Sequence, residues 1–270
     1  MTPSVQVLEW VTLREPIGLR FHDEATGATV GGGLRVSAWP PGEPGRAVTA
    51  DVTRSGVFYF ATLPGLLRRA DDRPRDFVAE VRDPEGRFIP YRFSVTAPAT
   101  ASPLGSPLDA LSLPLFSAPA RVVPPAFAAL RADLRDGVTG KPAQGAVLQA
   151  GYRGAPLART VSDEKGRAAL FFAYPEPENF VAGSQPSGAA QSLFAQAWTI
   201  DIAVQYEPRP ADGLPDLHAT LAQRPGALWQ DEGRTVPFSA ARLRFGQESI
   251  LRSRDSTGRE MPVLIVTAAA

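Results

Sequence analysis

Two stretches of the chain share one pattern of strands and turns, and this internal repeat limits the fold more than any other feature. Each stretch alternates apolar and polar residues up to an Asp-x-x-Thr-Gly sequence, at residues 23–27 and again at 136–140. Each then has a polar turn that ends in glycine, Gly56 or Gly166, before an aromatic segment. Aspartate pins such turns through its side chain, and glycine supplies the positive φ. A duplicated β-module therefore explains the repeat better than a repeated active site does.

The alternation itself predicts an all-β fold. Leu19 and Phe21 alternate with Arg20 and His22, as in a strand that is buried on one face. About seven such segments precede residue 97, a number typical of a β-sandwich. The chain also has 27 prolines and 24 glycines, which suit the many turns of such a fold. We predict two tandem antiparallel β-sandwiches joined by a proline-rich linker.

The domain boundaries follow from changes in composition. Residues 1–97 form the first predicted sandwich, 98–125 a connector, and 126–270 a second and larger sandwich. The second sandwich carries a Pro-Gly-Ser-rich insertion at 175–190 and a C-terminal addition at 207–270. These two segments have no counterpart in the first module, so a localised function is most readily sought there.

The connector is too rich in proline for a regular strand ladder, because its seven prolines cannot donate backbone hydrogen bonds. It is nevertheless partly apolar, with alternating side chains at Leu111, Leu113, Leu115 and Phe116. We therefore expect an ordered connector that packs against a neighbouring surface, and free flexibility is the second alternative. Its apolar side chains Leu113, Leu115 and Phe116 are candidates for an interaction surface.

Charge and cysteine content exclude several classes of function. The 28 basic residues equal the 28 acidic ones, so no net field attracts nucleic acid or anionic lipid. The absence of cysteine excludes disulfides and thiolate metal sites. No signal peptide and no stretch of ~20 apolar residues is visible, so membrane insertion is not expected. We expect a cytoplasmic protein, which could sit in a particle that is later released.

No arrangement of residues predicts catalysis or metal binding. The two histidines, His22 and His218, fall in different predicted domains, whereas zinc needs three or four converging ligands. The segment 183–188 only superficially resembles a serine-nucleophile motif, and Gly31–Gly33 precedes a strand instead of a phosphate-binding helix. The acidic pairs at 71–72 and 231–232 lack the spacing of a calcium loop. We predict no catalytic residue, no cofactor and no metal.

The aromatic residues are assigned mainly to the core. Five of them fall on strand parity and are expected to be buried, namely Phe58, Phe60, Phe171, Phe172 and Trp198. Two tryptophans, Trp39 and Trp229, lie near predicted turns instead. They are the best candidates for an exposed surface that binds carbohydrate or another partner.

The repeated unit resembles the carboxypeptidase regulatory-like, or transthyretin-like, β-sandwich. In the first module the resemblance is carried by Asp23, Thr26, Gly27, Leu34, Val36, Gly56, Phe58, Phe60, Leu63, Pro64 and Gly65. In the second it is carried by Asp136, Thr139, Gly140, Pro142, Gly145, Ala146, Asp163, Gly166 and Phe171. The second module departs from the pattern at 174–177, where Tyr-Pro-Glu-Pro replaces Leu-Pro-x-Gly. The resemblance implies a non-catalytic module that supplies stability, spacing or a binding surface.

The chain is also similar to accessory proteins of phage-tail-like contractile injection systems. The similarity lies at 115–121 with Pro124 and Pro125, at 163–167 and 173–177, and at 243–246 and 251–255. It implies a structural subunit near a cap or baseplate. We therefore expect a non-enzymatic assembly subunit whose partners are other protein subunits, with homo-oligomerisation also open. The alternative is a carbohydrate- or surface-binding module.

Overall fold

Alternating apolar residues form strands throughout the part of the chain that the structure describes. The structure is a computed structural model, and it describes residues 17–60, 62–64, 74–97, 110–176, 196–209 and 213–269. The predicted all-β sandwich fold is confirmed. No helix among the described residues is long and apolar enough to cross a membrane.

Within the described residues, the first sandwich has two four-stranded sheets. Its strands are β1 (Gly18–Asp23), β2 (Arg35–Trp39), β3 (Val48–Thr49), β4 (Asp51–Val52), β5 (Phe58–Tyr59), β6 (Arg75–Arg82), β7 (Tyr91–Ala97) and β8 (Leu111–Leu115), with a 3₁₀ helix at Pro44–Arg46. One sheet has the order β4-β5-β1-β8 and the other β3-β2-β6-β7. Phe21 of the first sheet meets Phe58 and Phe93 edge-to-face, with ring centroids 5.4 and 6.4 Å apart. Burying each such ring contributes about 1.5–3 kcal/mol.

Strand β8 belongs to the segment that the sequence assigns to the connector. It runs parallel to β1, from Leu19 opposite Leu111 to Asp23 opposite Leu115. The hydroxyl of Tyr91 donates a hydrogen bond of 2.8 Å to the carbonyl oxygen of Pro114. The expectation of an ordered, packed connector is therefore confirmed for residues 110–125, while 98–109 lie outside the described residues.

The second sandwich has more strands and a short helix. Its elements are β9 (Phe127–Asp136), β10 (Val147–Tyr152), β11 (Ala155–Val161), β12 (Arg167–Ala173), β13 (Ala197–Gln205), α1 (Leu217–Leu221), β14 (Gly226–Trp229), β15 (Ala240–Arg244), β16 (Ser249–Leu251), β17 (Ser253–Arg254), β18 (Glu260–Met261) and β19 (Leu264–Ala268). One sheet has the order β11-β10-β13-β15. The other has the order β12-β9-β19-β14, with β16 also on β9 and β17–β18 as a separate ribbon.

Most neighbouring strands are antiparallel, as predicted, but three pairs of the described strands are parallel. These are β1–β8 in the first sandwich and β9–β16 and β9–β19 in the second. Side-chain alternation defines which face of a strand is buried, but it does not define the direction of the partner strand. The parallel pairs are therefore a feature that the sequence pattern does not contain.

The two sandwiches pack against each other. The hydrophobic core of the first includes Val147 and Val161 from the outward face of the second, together with Leu217 of α1. The backbone N–H of Arg92 on β7 also donates to the carbonyl oxygen of Pro215, at 2.8 Å. Both the apolar contacts and the backbone hydrogen bond join the two sandwiches. The sandwiches are therefore packed together and are not connected by the linker alone.

Candidate functional site

The turn after β1 presents a buried carboxylate at the boundary between the sandwiches. Asp23 is only 4% exposed. Its side chain accepts hydrogen bonds from the N–H of Ala25 at 3.0 Å and from the hydroxyl of Thr26 at 2.8 Å. Gly27 closes the turn at φ 71°, a conformation that favours glycine. The turn therefore holds a negative charge where water has little access.

Arg121 of the connector neutralises this carboxylate. Its two terminal nitrogens donate to the two oxygens of Asp23 at 2.9 and 2.6 Å, and Nη1 also donates to the hydroxyl of Ser117 at 2.8 Å. The Arg121 side chain is 15% exposed, so the pair lies largely out of water. Such bidentate pairs are short, directional and stronger than neutral hydrogen bonds. The connector is thereby fixed to the first sandwich 98 residues away in sequence.

Charge and hydrogen bonding lower the pKa of Asp23. Burial alone would raise that pKa, but the hydrogen bonds from Arg121 and Thr26 and the positive charge of Arg121 outweigh burial. The pKa of the Asp23 carboxyl consequently lies below its ordinary value of 3.8. Asp23 is therefore ionised at neutral pH, as the ion pair requires.

The same guanidinium lies between aromatic rings from the two sandwiches. It is 4.9 Å from the ring centre of Phe88, in the first sandwich, and 6.0 Å from that of Phe171 on β12. Arg131 of β9 adds a second cation 5.4 Å from the Phe171 ring. Arg131 also donates to the carbonyl oxygens of Pro119 and Arg121. These contacts link connector and second sandwich to the Asp23 turn, and we call them the joint.

An apolar patch completes the joint. On the outward face of the second sandwich, Ala129, Ala169 and Phe171 form a small buried cluster. Ala25 of the first turn packs on this cluster, as do Val123 and Phe127 of the chain that leads into β9. At the rim, Glu24 forms an ion pair with Arg159 of β11. The turn of one sandwich is therefore docked on a strand face of the other.

The second copy of the turn is stabilised differently. Asp136 accepts hydrogen bonds from the N–H groups of Val138 and Thr139 at 2.7 and 2.8 Å. Its third donor is the buried hydroxyl of Tyr206, at 2.8 Å. Burial would raise the pKa of Asp136, but these hydrogen bonds outweigh it and the pKa is lowered. Gly140 has φ 69°, close to the φ of Gly27. The two turns thus share a backbone form, whereas Asp136, unlike Asp23, accepts no hydrogen bond from an arginine of the described residues.

Most of the predicted interaction residues are buried within the chain. Leu113, Leu115 and Phe116 lie in the first core, and Trp39 is 8% exposed beneath Arg92, whose guanidinium is 5.7 Å from its ring. Their assignment to an interaction surface is corrected, because β8 docks inside the first sandwich and Arg92 covers the tryptophan. Trp229 is half-buried, and its indole N–H donates to the hydroxyl of Thr267 at 3.0 Å.

No described cluster of side chains offers metal or acid–base chemistry. Among residues 17–60, 62–64, 74–97, 110–176, 196–209 and 213–269, no three His, Asp or Glu side chains converge as metal ligands. His22 contacts Ser112 and Glu24, while His218 is exposed on α1. Asp231 accepts from Thr235 and Val236 in a closed turn. The acidic pair 71–72 and the segment 183–188 lie outside the described residues.

Comparisons with known proteins add little to this geometry. No protein-family model matches the sequence, and no curated protein matches it. A variant of the shaft pilin SpaA from Lactobacillus rhamnosus GG aligns over 94% of this chain and 97% of its own, at 9% identity and a TM-score of 0.25. The shaft pilin itself aligns over 94% and 97%, at 11% identity and a TM-score of 0.24. A streptococcal ancillary pilin aligns over 88% and 62%, at 9% identity and a TM-score of 0.20. Likenesses this weak carry no functional consequence.

Proposed function

We propose that the chain is a non-enzymatic structural subunit that holds two β-sandwiches at a fixed spacing and works through protein–protein contacts. The observation that carries this proposal is the joint, in which Arg121 pairs with buried Asp23 between Phe88 and Phe171. A flexible tether would leave such groups in water, where an isolated ion pair contributes about 0–1 kcal/mol. Here the contacts fix both the distance and the orientation of the sandwiches.

The first setting to test is a contractile, phage-tail-like particle, in which the subunit would sit near the cap or baseplate. This assignment is supported by the sequence resemblance at 115–121, 163–167, 173–177, 243–246 and 251–255. A rigid two-module spacer suits such an assembly, because a subunit that bends at its linker transmits neither position nor force.

Co-purification tests the assignment. Particles isolated from cells that express the wild-type chain should carry it in fixed proportion to tube and sheath proteins through sedimentation. An Arg121→Gln variant should lose most of this incorporation while both sandwiches stay folded, since its spacing is no longer fixed. Arg54→Gln changes an exposed arginine of a surface turn and serves as the matched control. A wild-type chain that stays in the supernatant as a free monomer would refute the assembly role.

A carbohydrate-binding module remains the alternative, and one observation favours it. Trp229 borders an open cavity of about 460 Å³ that also contains Val138 and Arg234. Retention of the wild-type chain on a polysaccharide column, and its loss in Trp229→Ala, would support this alternative. The buried position of Trp39 removes the second aromatic residue on which the alternative depended.

A further inference from the structure

An open cavity beside the second Asp-x-x-Thr-Gly turn brings an arginine and a tryptophan together. The cavity has a volume of about 460 Å³, and its wall includes Pro208, Trp229, Arg234 and Thr267. This volume lies within the ~300–1,000 Å³ that is typical of small-molecule sites. Eight described residues line the cavity, whereas each side of a standard protein–protein interface contributes about 20–30 residues. The cavity therefore has the size of a small-ligand site and not of a protein interface.

Arg234 brings to this cavity a positive charge that nothing in the described part of the chain neutralises. The residue is exposed, and its guanidinium makes no hydrogen bond or ion pair with another described residue. The carboxylate of Asp231, in the same turn, instead accepts hydrogen bonds from two backbone N–H groups at 3.0 and 2.7 Å. Asp136 also lines the cavity, but it is only 2% exposed and accepts the hydroxyl of Tyr206. Arg234 is therefore available to an anion from solution.

The backbone of Arg234 indicates that this side chain is retained for its chemistry. Arg234 has φ 57°, in the left-handed region that glycine and asparagine adopt with less strain. Strained residues of this kind cluster at functional sites. The Cδ of Arg234 also lies 3.2 Å from the position that a Cβ would take on Gly137, so the arginine stem packs over a glycine of the second turn. The guanidinium is thus presented by a stem that the turn supports.

Trp229 and Thr267 supply two further contacts. Trp229 is half-buried, and its indole N–H donates to the hydroxyl of Thr267 at 3.0 Å, which fixes the orientation of the ring. The hydrogen of that hydroxyl has no acceptor among the described residues, so it can be donated to a ligand. The face of an aromatic ring carries partial negative charge and attracts the partly positive C–H groups of a sugar ring. The cavity thus combines an aromatic face with two donor groups.

We propose that this cavity binds an acidic sugar, whose carboxylate pairs with Arg234 and whose ring packs on Trp229. A guanidinium and a carboxylate can form two parallel hydrogen bonds, which gives the pair direction as well as strength. The hydroxyl of Thr267 adds a donor for an oxygen of the same ring. The proposal rests on the carbohydrate-binding alternative above and names its ligand class. It does not depend on the joint, so a structural subunit could carry the site as well.

Isothermal titration calorimetry with sugar oligomers tests this proposal. The acidic probes are oligomers of galacturonate, of mannuronate and of hyaluronan, and the neutral probe is a galactose oligomer of the same length. At least one acidic probe should bind the wild-type chain with a dissociation constant below about 1 mM and at least tenfold more tightly than the neutral probe. Its affinity should fall between about 0.1 and 1 M salt, because the screening length shortens from about 10 to about 3 Å.

Replacing Arg234 with asparagine separates a binding role from a structural one. Arg234→Asn removes the cation and suits the left-handed backbone, so affinity for the acidic probe should fall at least tenfold while the melting temperature stays the same or rises. Arg259→Gln is the matched control, since Arg259 is an exposed arginine of another turn and does not line the cavity. It should bind like the wild type. An Arg234→Asn variant that binds like the wild type would overturn the proposal.

Other outcomes also decide the matter. If no acidic probe binds more tightly than about 1 mM, the proposal is overturned. If the neutral oligomer binds as tightly as the acidic ones, the carbohydrate-binding alternative stands and the acidic class is wrong. A pentaglutamate peptide that binds while none of the sugars does would also overturn the choice of a sugar. If the chain co-sediments with its particle but binds no acidic sugar, only this inference fails and the structural role stands.

Discussion

Replacing Arg121 with methionine tests the joint most directly, because methionine keeps much of the side chain but removes its charge and its donors. Removing one member of a buried ion pair typically costs about 3–5 kcal/mol. Asp23 would keep its hydrogen bonds from Ala25 and Thr26, which places the expected loss near the lower limit. We expect the free energy of unfolding to fall by about 3 kcal/mol.

A double-mutant cycle isolates the pair from its surroundings. Asp23→Asn alone should also cost about 3 kcal/mol, because it leaves the largely buried charge of Arg121 without its partner. The double variant Asp23→Asn with Arg121→Met should cost about 2 kcal/mol less than the sum of the single variants. The double variant loses less stability because it has neither a buried Asp23 carboxylate nor a buried Arg121 guanidinium without its partner.

Urea unfolding, followed by tryptophan fluorescence and circular dichroism, measures these differences. Arg54→Met is the control, since Arg54 is exposed and should change stability by less than about 0.5 kcal/mol. The wild type should unfold in one transition, and Arg121→Met should separate the two sandwiches into two transitions. A coupling energy below about 0.5 kcal/mol, or an Arg121→Met curve that matches the control, would refute the view that this pair holds the sandwiches together.

Three further predictions concern the turns of both sandwiches. Because the pKa of Asp23 in the folded state lies below its ordinary value of 3.8, the unfolded chain binds this proton more readily. The stability contributed by the ionised Asp23 carboxyl is complete above about pH 4 and is lost as the pH falls through the folded-state pKa. In acid-unfolding curves, the difference in free energy of unfolding between the wild type and Asp23→Asn should therefore disappear at low pH. Tyr206→Phe removes a donor from buried Asp136 and should cost about 1–3 kcal/mol in urea unfolding, with a rise in the pKa of Asp136 measured by carbon NMR. Gly166→Ala should lower the free energy of unfolding by more than about 3 kcal/mol, because φ is 76° and the new Cβ would lie 2.2 Å from the carbonyl oxygen of Leu134. Gly140→Ala is the matched comparison, with φ 69° and open space around it, and should cost only about 1 kcal/mol. Calorimetry measures both differences.

The strand pattern and the turn chemistry could be derived from the sequence because both are local. Alternation at Leu19 and Phe21 defines a buried face, and the two Asp-x-x-Thr-Gly turns define where the chain reverses. The burial of Phe58, Phe60 and Phe172 inside the sandwiches follows from the same parity, whereas Phe171 faces the opposite way and is buried by the contact between the sandwiches. Apart from the burial of Phe171, these features need no long-range information.

The joint could not be derived in this way, because it depends on residues that are far apart in sequence. Nothing local shows that Arg121 reaches Asp23, 98 residues away, or that Phe171 lies beside them. Trp39 was misassigned for a related reason, since its position near a turn suggested exposure and the long side chain of Arg92 covers it. Arg121 is the single basic residue of the proline-rich connector, and this is the local signal that the sequence offers, because a charge in buried surroundings needs a partner.

The parallel pairing of β8 with β1 has a consequence for the order in which the chain folds. The sheet that begins at residue 18 can close only after residue 115 has been synthesised, so the paired residues are separated by just over a third of the chain. Contacts over such distances are slow to form, and until then β1 has an open edge that could pair with a neighbouring nascent chain. On the ribosome, the first sandwich would therefore mature only after the proline-rich segment has emerged. The open edge of β1 is therefore covered only when translation has passed the proline-rich segment, and not when it has passed the end of β7. Until then, the first sandwich remains prone to aggregation.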